Sequence, residues 1–474
     1  MSRHPTHRRR QGQVLVPEPP RPAEIQPVIV PAIAAKAVPR RAFQPIPWYL
    51  MATLGAWVII AIWSALPGSV DIETEMYLPY HLSNKPFFSR IFDSKSLEWE
   101  GSYQARELSY VIDVIDCRFI AWSAHNGSPH FLSLTYFLFT LGTSLLLWRF
   151  LVGQLNLDRL SALLLIGLQL TAPCVFLSTG YFRSSKSAVV FLAMVMTVLI
   201  WRGLSNQERN PRRWVLFGVA SLAMTLCDRQ GFFMVVSATV FLAVYFALRR
   251  TRAGLCALVA TAAAVTLSVA YNYEIAPRLT QALNGYSPSF AYQHLPWENL
   301  KRPQFELGWY LFLDTVRFGF GDFPVSFATL LLGGMVYPIW KRYGWMAGVF
   351  AVGALACLYA MMVLMVLRHP PLAWADIRRV YYWLPSTLAI MVFAGIAVAV
   401  AYQREYALMI RVGLAAALIS NIVALPGHRA IVRDRPRANY QKAMALRNAL
   451  LANQPAPDFL GDPIFRALRS PKKQ

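Results

Sequence analysis

The chain has 474 residues, 56% of them hydrophobic and only 15% charged, with a mean hydropathy of +0.39. Soluble domains carry about 25% charged residues, so this composition excludes a soluble multidomain enzyme, a disulfide-stapled secreted module and a disordered chain. The formal charge is +22, from 46 Lys and Arg against 24 Asp and Glu; in a membrane protein such an excess raises the question of which side of the bilayer holds the cations.

The first 45 residues hold eight basic residues, two acids and many prolines. They read as a disordered basic tail. The apolar run after them is too long for a signal-peptide core and lacks a small-residue cleavage site, which predicts a retained first span. Apolar runs of membrane length then recur. They fall near 47–66, 130–152, 160–178, 187–201, 213–227, 231–248, 253–272, 324–340, 345–367, 380–402 and 406–425. The expected fold is therefore an all-α polytopic membrane protein with about eleven spans. Its parts are a tail (1–45), a first transmembrane module (46–272), a second (273–425) and a basic C-terminal tail (426–474).

The connectors alternate in character. One set is short and basic: 149–159, 202–213, 249–252, 341–342 and 404–411. The other is mixed in charge and rich in aromatics: 67–129, 179–186, 228–230, 273–323 and 368–379. With the N-terminal tail, the first side carries 21 basic residues and 5 acids, and the opposite side up to residue 379 carries 15 and 16. The basic side is expected to be cytoplasmic, with the N-terminus inside and the long loops outside. The segment after 425 holds ten basic residues and three acids, and an odd span count puts it with the outer loops. Most of the +22 is thus an orientation signal, with no nucleic acid implied, and the tail's share is left without an explanation.

The first outer loop, 67–129, holds nine of the 24 acids. It opens Pro67-Gly68-Ser69-Val70-Asp71-Ile72-Glu73-Thr74-Glu75. An extended backbone would turn Asp71, Glu73 and Glu75 to one face. Clustered carboxylates at a low-dielectric boundary raise each other's pKa or recruit a cation. Both outcomes suit a general base acting on a hydroxyl. Residues 105–116 read as an amphipathic helix, with Leu108, Val111, Ile112, Ile115 and Phe119 on one face and Arg106, Ser109, Asp113 and Asp116 on another. Such a helix lies along the bilayer surface, its polar face either lining a cavity or meeting water.

Cations at outer span ends oppose the sidedness bias: Arg183 and Lys186, Arg229 beside Asp228, and Arg378 with Arg379. A lipid phosphate is one reason for them, since Arg clamps phosphate bidentately; local pairing is the other. The loop 273–323, with Trp309, Tyr310 and Phe312, suggests an amphipathic segment in the interface. The five cysteines show no CxxC and no paired framework, so disulfides and a Cys-zinc site are not expected. His81, His125, His130, His294 and His369 show no zinc spacing, and no Walker or GxGxxG motif occurs.

The order of these features resembles the GT-C class of membrane glycosyltransferases, most closely the protein O-mannosyltransferase-like branch. The stretches that carry the likeness are Asp71 with Glu73, then Leu82-Ser83-Asn84, then Arg106-Glu107-Leu108-Ser109-Tyr110. Pro129-His130-Phe131-Leu132 leading into the second span and the turn Arg183-Ser184-Ser185-Lys186 follow in order, and Arg378 to Pro385 looks like the class's "RYxxP" lead-in to a late span. The likeness covers roughly residues 47–250. Glu107 stands where the family has Pro, the acidic pair is spread as Asp-x-Glu-x-Glu, and the family's repeat tail is lacking. The resemblance implies a sugar donor linked to a polyprenyl phosphate and a glycan, lipid or protein acceptor. It implies Asp71 as catalytic base, with Glu73 or Glu75 orienting the acceptor or, with Asp71, holding a divalent cation such as Mg or Mn. By the same likeness Arg106, Arg183 and Lys186 would hold donor phosphate. Arg229, Arg378 and Arg379 join them as candidates because they are cations at outer span ends, and Asp113, Asp116 and His130 are candidates for the acceptor. Two other readings stay open: a polysaccharide polymerase or ligase using Lys301, Arg302 and Arg317 of the later loop, and a lipid-linked-sugar flippase or transporter. The spans carry almost no mid-span charge and show no internal repeat, which weighs against transport.

Overall fold

The computed structural model describes residues 46–98, 103, 106–182, 184–205, 210–290, 305–321, 324–344, 347, 380–401, 406–434, 437–452 and 459–469. The N-terminal tail, and the span expected at 345–367 apart from Ala347, lie outside the described residues. The described residues are about 85% helical with no strand, so the fold is all-α.

Among the described residues, seven helices are long and apolar enough to cross a membrane: α1 (Trp48–Ala65), α6 (Leu134–Gly153), α9 (Ser185–Ser205), α11 (Arg229–Arg249), the continuous stretch Arg252–Asn284, Tyr381–Ala401 and Ala407–Arg433. Two bent pairs raise the number to as many as nine. One is α7 (Arg159–Thr171) with Pro173–Gly180, bent by 47° where Pro173 restarts the helix; the other is Leu313–Phe320 with Val325–Tyr343, bent by 83°. These candidates are fewer than the expected eleven, one of which falls outside the described residues. Among the spans read from sequence, α10 (Pro211–Cys227) has 17 residues, about 26 Å of rise against a hydrocarbon core of about 30 Å. The fourth, expected to be short, has 21 residues. The last of the spanning helices, α17 (Ala407–Asp434), runs nine residues past the expected end at 425.

Helix starts follow local chemistry. Ser133, Asp158, Asn210, Asp228 and Thr251 each accept a backbone N–H from the first turn of the helix they precede, the arrangement that makes these residue types good N-caps. The helix Leu384–Ala401 (α16) forms the middle of the bundle: 78% of the Tyr381–Ala401 span is buried, against 17% of α11. Large apolar side chains such as Ile59, Val240, Leu330 and Val423 stand well exposed on the outer helices. An apolar exterior of that kind belongs against lipid, and these helices fit a multi-pass membrane protein.

Loop 67–129 folds into α2 (Ile72–His81), α3 (Phe87–Ile91), α4 (Ser94–Leu97) and α5 (Glu107–His125). Its beginning is tied to its end. Gly68 bridges Phe131, whose N–H donates to the Pro67 carbonyl at 2.7 Å. Gly68 sits at φ +95°, and a Cβ there would lie 2.8 Å from the Phe131 carbonyl carbon, so only glycine fits. Asp93 then joins loop 67–129 to the segment 273–323, accepting from Lys85 at 2.6 Å, Tyr80 at 2.7 Å and Tyr286 at 2.8 Å.

The C-terminal segment is part of this layer. Its helices α18 (Arg437–Ala452) and α19 (Pro463–Arg469) bury Ala443, Leu446, Phe465 and Leu468 against Val70, Tyr77, Leu78 and Ile120. The Val70 N–H donates to the Asn439 carbonyl at 3.2 Å, and Tyr440 Oη donates to the Leu66 carbonyl at 3.3 Å. Lys442 pairs with Glu75 and lies 3.5 Å from Asp462. The basic tail therefore sits on the same face as loop 67–129.

Candidate active site at the junction of outer layer and bundle

The acids after the first span do not form an extended comb. Asp71 caps α2, its carboxylate accepting from Thr74 N and Thr74 Oγ1, each at 2.9 Å. Glu73 and Glu75 fall inside the helix. Residues two apart on a helix point about 200° apart, so Glu73 turns away from Asp71. The extended backbone that would turn all three acids to one face is thereby overturned. Among the described residues, no group of three His, Cys, Asp or Glu could hold a metal ion.

Helix α5 is longer than expected, and its faces are arranged to a purpose. Ser109, Asp113 and Asp116 are fully buried, while Ile115 and Trp122 are about half exposed. The polar face looks into the protein and a partly apolar stripe looks out. Asp116 is spent on architecture. It accepts from Ser133 Oγ at 2.5 Å, Thr135 N at 2.9 Å and Thr135 Oγ1 at 2.7 Å, with Ser184 Oγ at 3.4 Å. It thus fastens α5 to the start of α6 and to the turn before α9. His130 is a turn residue: its Nδ1 accepts from Leu132 N at 3.2 Å, its ring packs on Phe119, and burial pulls its imidazole below the ordinary range.

The predicted phosphate ligands meet elsewhere. Arg106, at the start of α5, makes a two-pronged pair with Glu98 at 3.1 and 2.7 Å. Its other nitrogen lies 4.0 Å from Asp228. Lys186, in the first turn of α9, pairs with the same Asp228. Asp228 caps α11 through Gln230 N at 2.8 Å, and the Gln230 side chain donates to the Tyr382 carbonyl at 2.7 Å. The Lys186 ammonium also stands 4.8 Å above the Tyr382 ring. Asp113 lies close enough to Cys227, the residue before Asp228, for its charge to act on that thiol.

Four charged groups from four separate stretches thus meet: Glu98, Lys186 and Asp228 are buried, at 4%, 7% and 1% exposed, and Arg106 is partly buried. Burial, the largest single influence, pushes the Asp228 carboxyl up, but the charges of Lys186 and Arg106 outweigh it and hold the group below the ordinary carboxylate range. As built, two cations balance two carboxylates. A phosphate arriving here must share Arg106 and Lys186 with Glu98 and Asp228, or draw on a further cation such as Arg229, which opens α11. Arg183, Arg378 and Arg379 lie outside the described residues.

Glu107 stands out in the sequence only as the residue in the place of a Pro in the class that the chain resembles. Its Oε1 accepts from Tyr103 Oη at 2.5 Å, while its Oε2 is buried without a hydrogen-bond partner. Burial, opposed by the Tyr103 hydrogen bond, raises its pKa from the ordinary 4.5 to about 7. Between those values the folded chain keeps a proton that the unfolded chain releases. Stability is then highest below about pH 4.5 and declines as pH rises through about 7. Thermal unfolding in detergent at pH 5, 6, 7 and 8 is expected to show this decline. In Glu107→Gln the part above pH 6 should disappear. Asp116, raised by burial to about 6, leaves a residual slope below that. An unchanged pH 6–8 slope in the Gln variant would show that Glu107 is ionised throughout.

Glu98 gave no signal in the sequence, since no spacing links it to Arg106. Asp228 did, as an acid at the start of an apolar run, but the expected partner was its neighbour Arg229. No protein-family model matches the chain, and no curated protein is significantly similar to it.

Proposed function

We propose that the chain is a polytopic membrane glycosyltransferase of the GT-C kind, moving a hexose or pentose from a polyprenyl-phosphate donor to a glycan, lipid or protein acceptor. In this reading it has about eleven spans, lies in a bacterial plasma membrane with its N-terminus in the cytoplasm, and works on the extracytoplasmic face in envelope glycan synthesis. One observation carries it: Arg106 and Lys186, picked out as phosphate ligands from their place in the sequence, converge on a single buried anionic position, Asp228, where the outer layer meets the bundle.

The chemistry would be an inverting displacement. The donor's lipid chain lies among the spans and its phosphate approaches Arg106, Lys186 and Arg229. Asp71 takes the proton of the acceptor hydroxyl as the oxygen attacks the anomeric carbon. The C–O bond to phosphate breaks, and the charge growing on the leaving phosphate is stabilised by fixed cations that need no reorganisation.

The test is reconstitution in liposomes with polyprenyl-phosphate-linked mannose, glucose and arabinose, each isotopically labelled in the sugar, together with a membrane extract as acceptor source. Label is expected to leave at least one donor with release of polyprenyl phosphate. If all three donors survive intact while a known transferase consumes its own in the same vesicles, the reading fails.

A further inference from the structure

Helix α17 marks both faces of the membrane. Near its start, Arg411 pairs with Asp158 at 2.6 Å, in the connector between α6 and α7. Arg429 lies 18 residues further along and Arg433 lies 22, about 27 and 33 Å of helical rise. That is the thickness of a hydrocarbon core. Arg429 and Arg433 therefore stand at the boundary on the side of loop 67–129. The Arg429 guanidinium carbon sits 3.1 Å from the ring centre of Trp63, which closes α1 on that side and is 58% exposed.

These two arginines are one turn apart and face the same way. Among the described side chains no carboxylate pairs with either. The Nε atom of each is shielded from solvent and has no hydrogen-bond partner. Two guanidiniums held together at a low-dielectric boundary repel each other unless an anion sits between them. Water alone answers this poorly at the headgroup level, where phosphate is the abundant anion and the guanidinium fork matches it. A lipid-exposed Trp beside them fixes the depth at which an acyl glycerol backbone would lie.

We infer that Trp63, Arg429 and Arg433 form a binding site for the phosphate of an anionic glycerophospholipid in the leaflet facing loop 67–129. The headgroup preference follows from the same contacts. The Trp63 ring face is already taken by Arg429, so the quaternary ammonium of a zwitterionic headgroup brings a third cation to two. The site also gives the excess of ten basic residues over three acids after residue 425 a partial use on the face where cations are not expected. It does not depend on sugar transfer and stands or falls separately from it.

The test titrates the purified full-length protein in neutral detergent with phosphatidylglycerol, phosphatidylcholine, polyprenyl phosphate and inorganic phosphate in turn, reading bound mass by native mass spectrometry. Phosphatidylglycerol is expected to half-saturate at about tenfold lower concentration than phosphatidylcholine. Arg429→Gln with Arg433→Gln should remove that advantage, a loss of about tenfold or more, since each cation near a membrane surface contributes about fivefold. Where the Gln pair does not accumulate, Arg429→Lys with Arg433→Lys decides: it keeps charge but loses the fork, and binding should weaken severalfold. Wild-type affinity for phosphatidylglycerol in either double variant overturns the site. Displacement of the lipid by millimolar inorganic phosphate overturns the lipid as its occupant. Preference for polyprenyl phosphate over phosphatidylglycerol overturns the glycerophospholipid class and transfers the site to the donor.

Discussion

Replacing Asp71 with Asn is expected to lower sugar transfer by about 10²- to 10⁴-fold, the usual contribution of a positioned general base, while leaving the fold intact. The separation is unusually clean because of what Asp71 does structurally. It caps α2 by accepting from Thr74 N and Thr74 Oγ1, and Asn is as good an N-cap as Asp, its carbonyl oxygen taking the same two bonds. The ties that bracket the position, Val70 to Asn439 and Leu66 to Tyr440, run through backbone carbonyls that the substitution does not touch. Thermal unfolding of the variant should match the wild type within a degree or two. Glu75→Gln is the control: it removes the pairing with Lys442, in which both side chains are at least one-third exposed, and exposed pairs contribute little. Transfer at near wild-type rate by Asp71→Asn, measured with the same labelled donor, would remove Asp71 from the chemistry and direct attention to Asp228 and Glu107.

How much of this was legible beforehand depends on the range of the interaction. Membrane-length apolar runs are local, and most of the spanning helices fall where those runs lie. The helix at 72–81 also has a local signature that competes with the alternation of its acids. Asp71-Ile72-Glu73-Thr74 is an N-cap followed by a first-turn acid, but the period-two spacing of the carboxylates was given more weight. For α5 the periodicity grouped the polar positions, although Ile112 of the apolar group is buried as well. It could not say which face looks inward, because near a bilayer the apolar stripe can meet lipid while Asp113 and Asp116 are buried. Arg106 and Lys186 stood out because cations on that side run against the sidedness bias. Their partners did not, since Arg106 and Asp228 come from stretches more than a hundred residues apart. The tail was harder still: the contacts of α18 with residues 66 to 75 span more than 360 residues, and no local pattern in a basic amphipathic helix encodes such a docking site.

Breaking the Lys186–Asp228 pair from one side is expected to be the most destabilising single change in the site, by about 3 kcal/mol, at the low end of the range for a buried pair. Lys186→Met leaves a carboxylate that is 1% exposed with Arg106 at 4.0 Å as its remaining cation, which is why the low end applies. Asp228→Asn keeps the cap on Gln230 N but leaves a buried ammonium facing an amide and the Tyr382 ring. The double variant removes both charges. If the pair is an isolated structural contact, Lys186→Met with Asp228→Asn should recover at least half of the single-variant loss, because an uncharged replacement no longer pays for desolvating ions. Stability and transfer should then part company. The recovered chain would fold yet lack Lys186, one of the cations assigned to the leaving phosphate, so transfer should stay down by about 10²-fold or more. Unfolding midpoints and donor turnover measured on the same four proteins give a cycle in each quantity. Transfer that returns together with stability would make the pair a scaffold and would leave Arg106 and Arg229 to meet the phosphate alone.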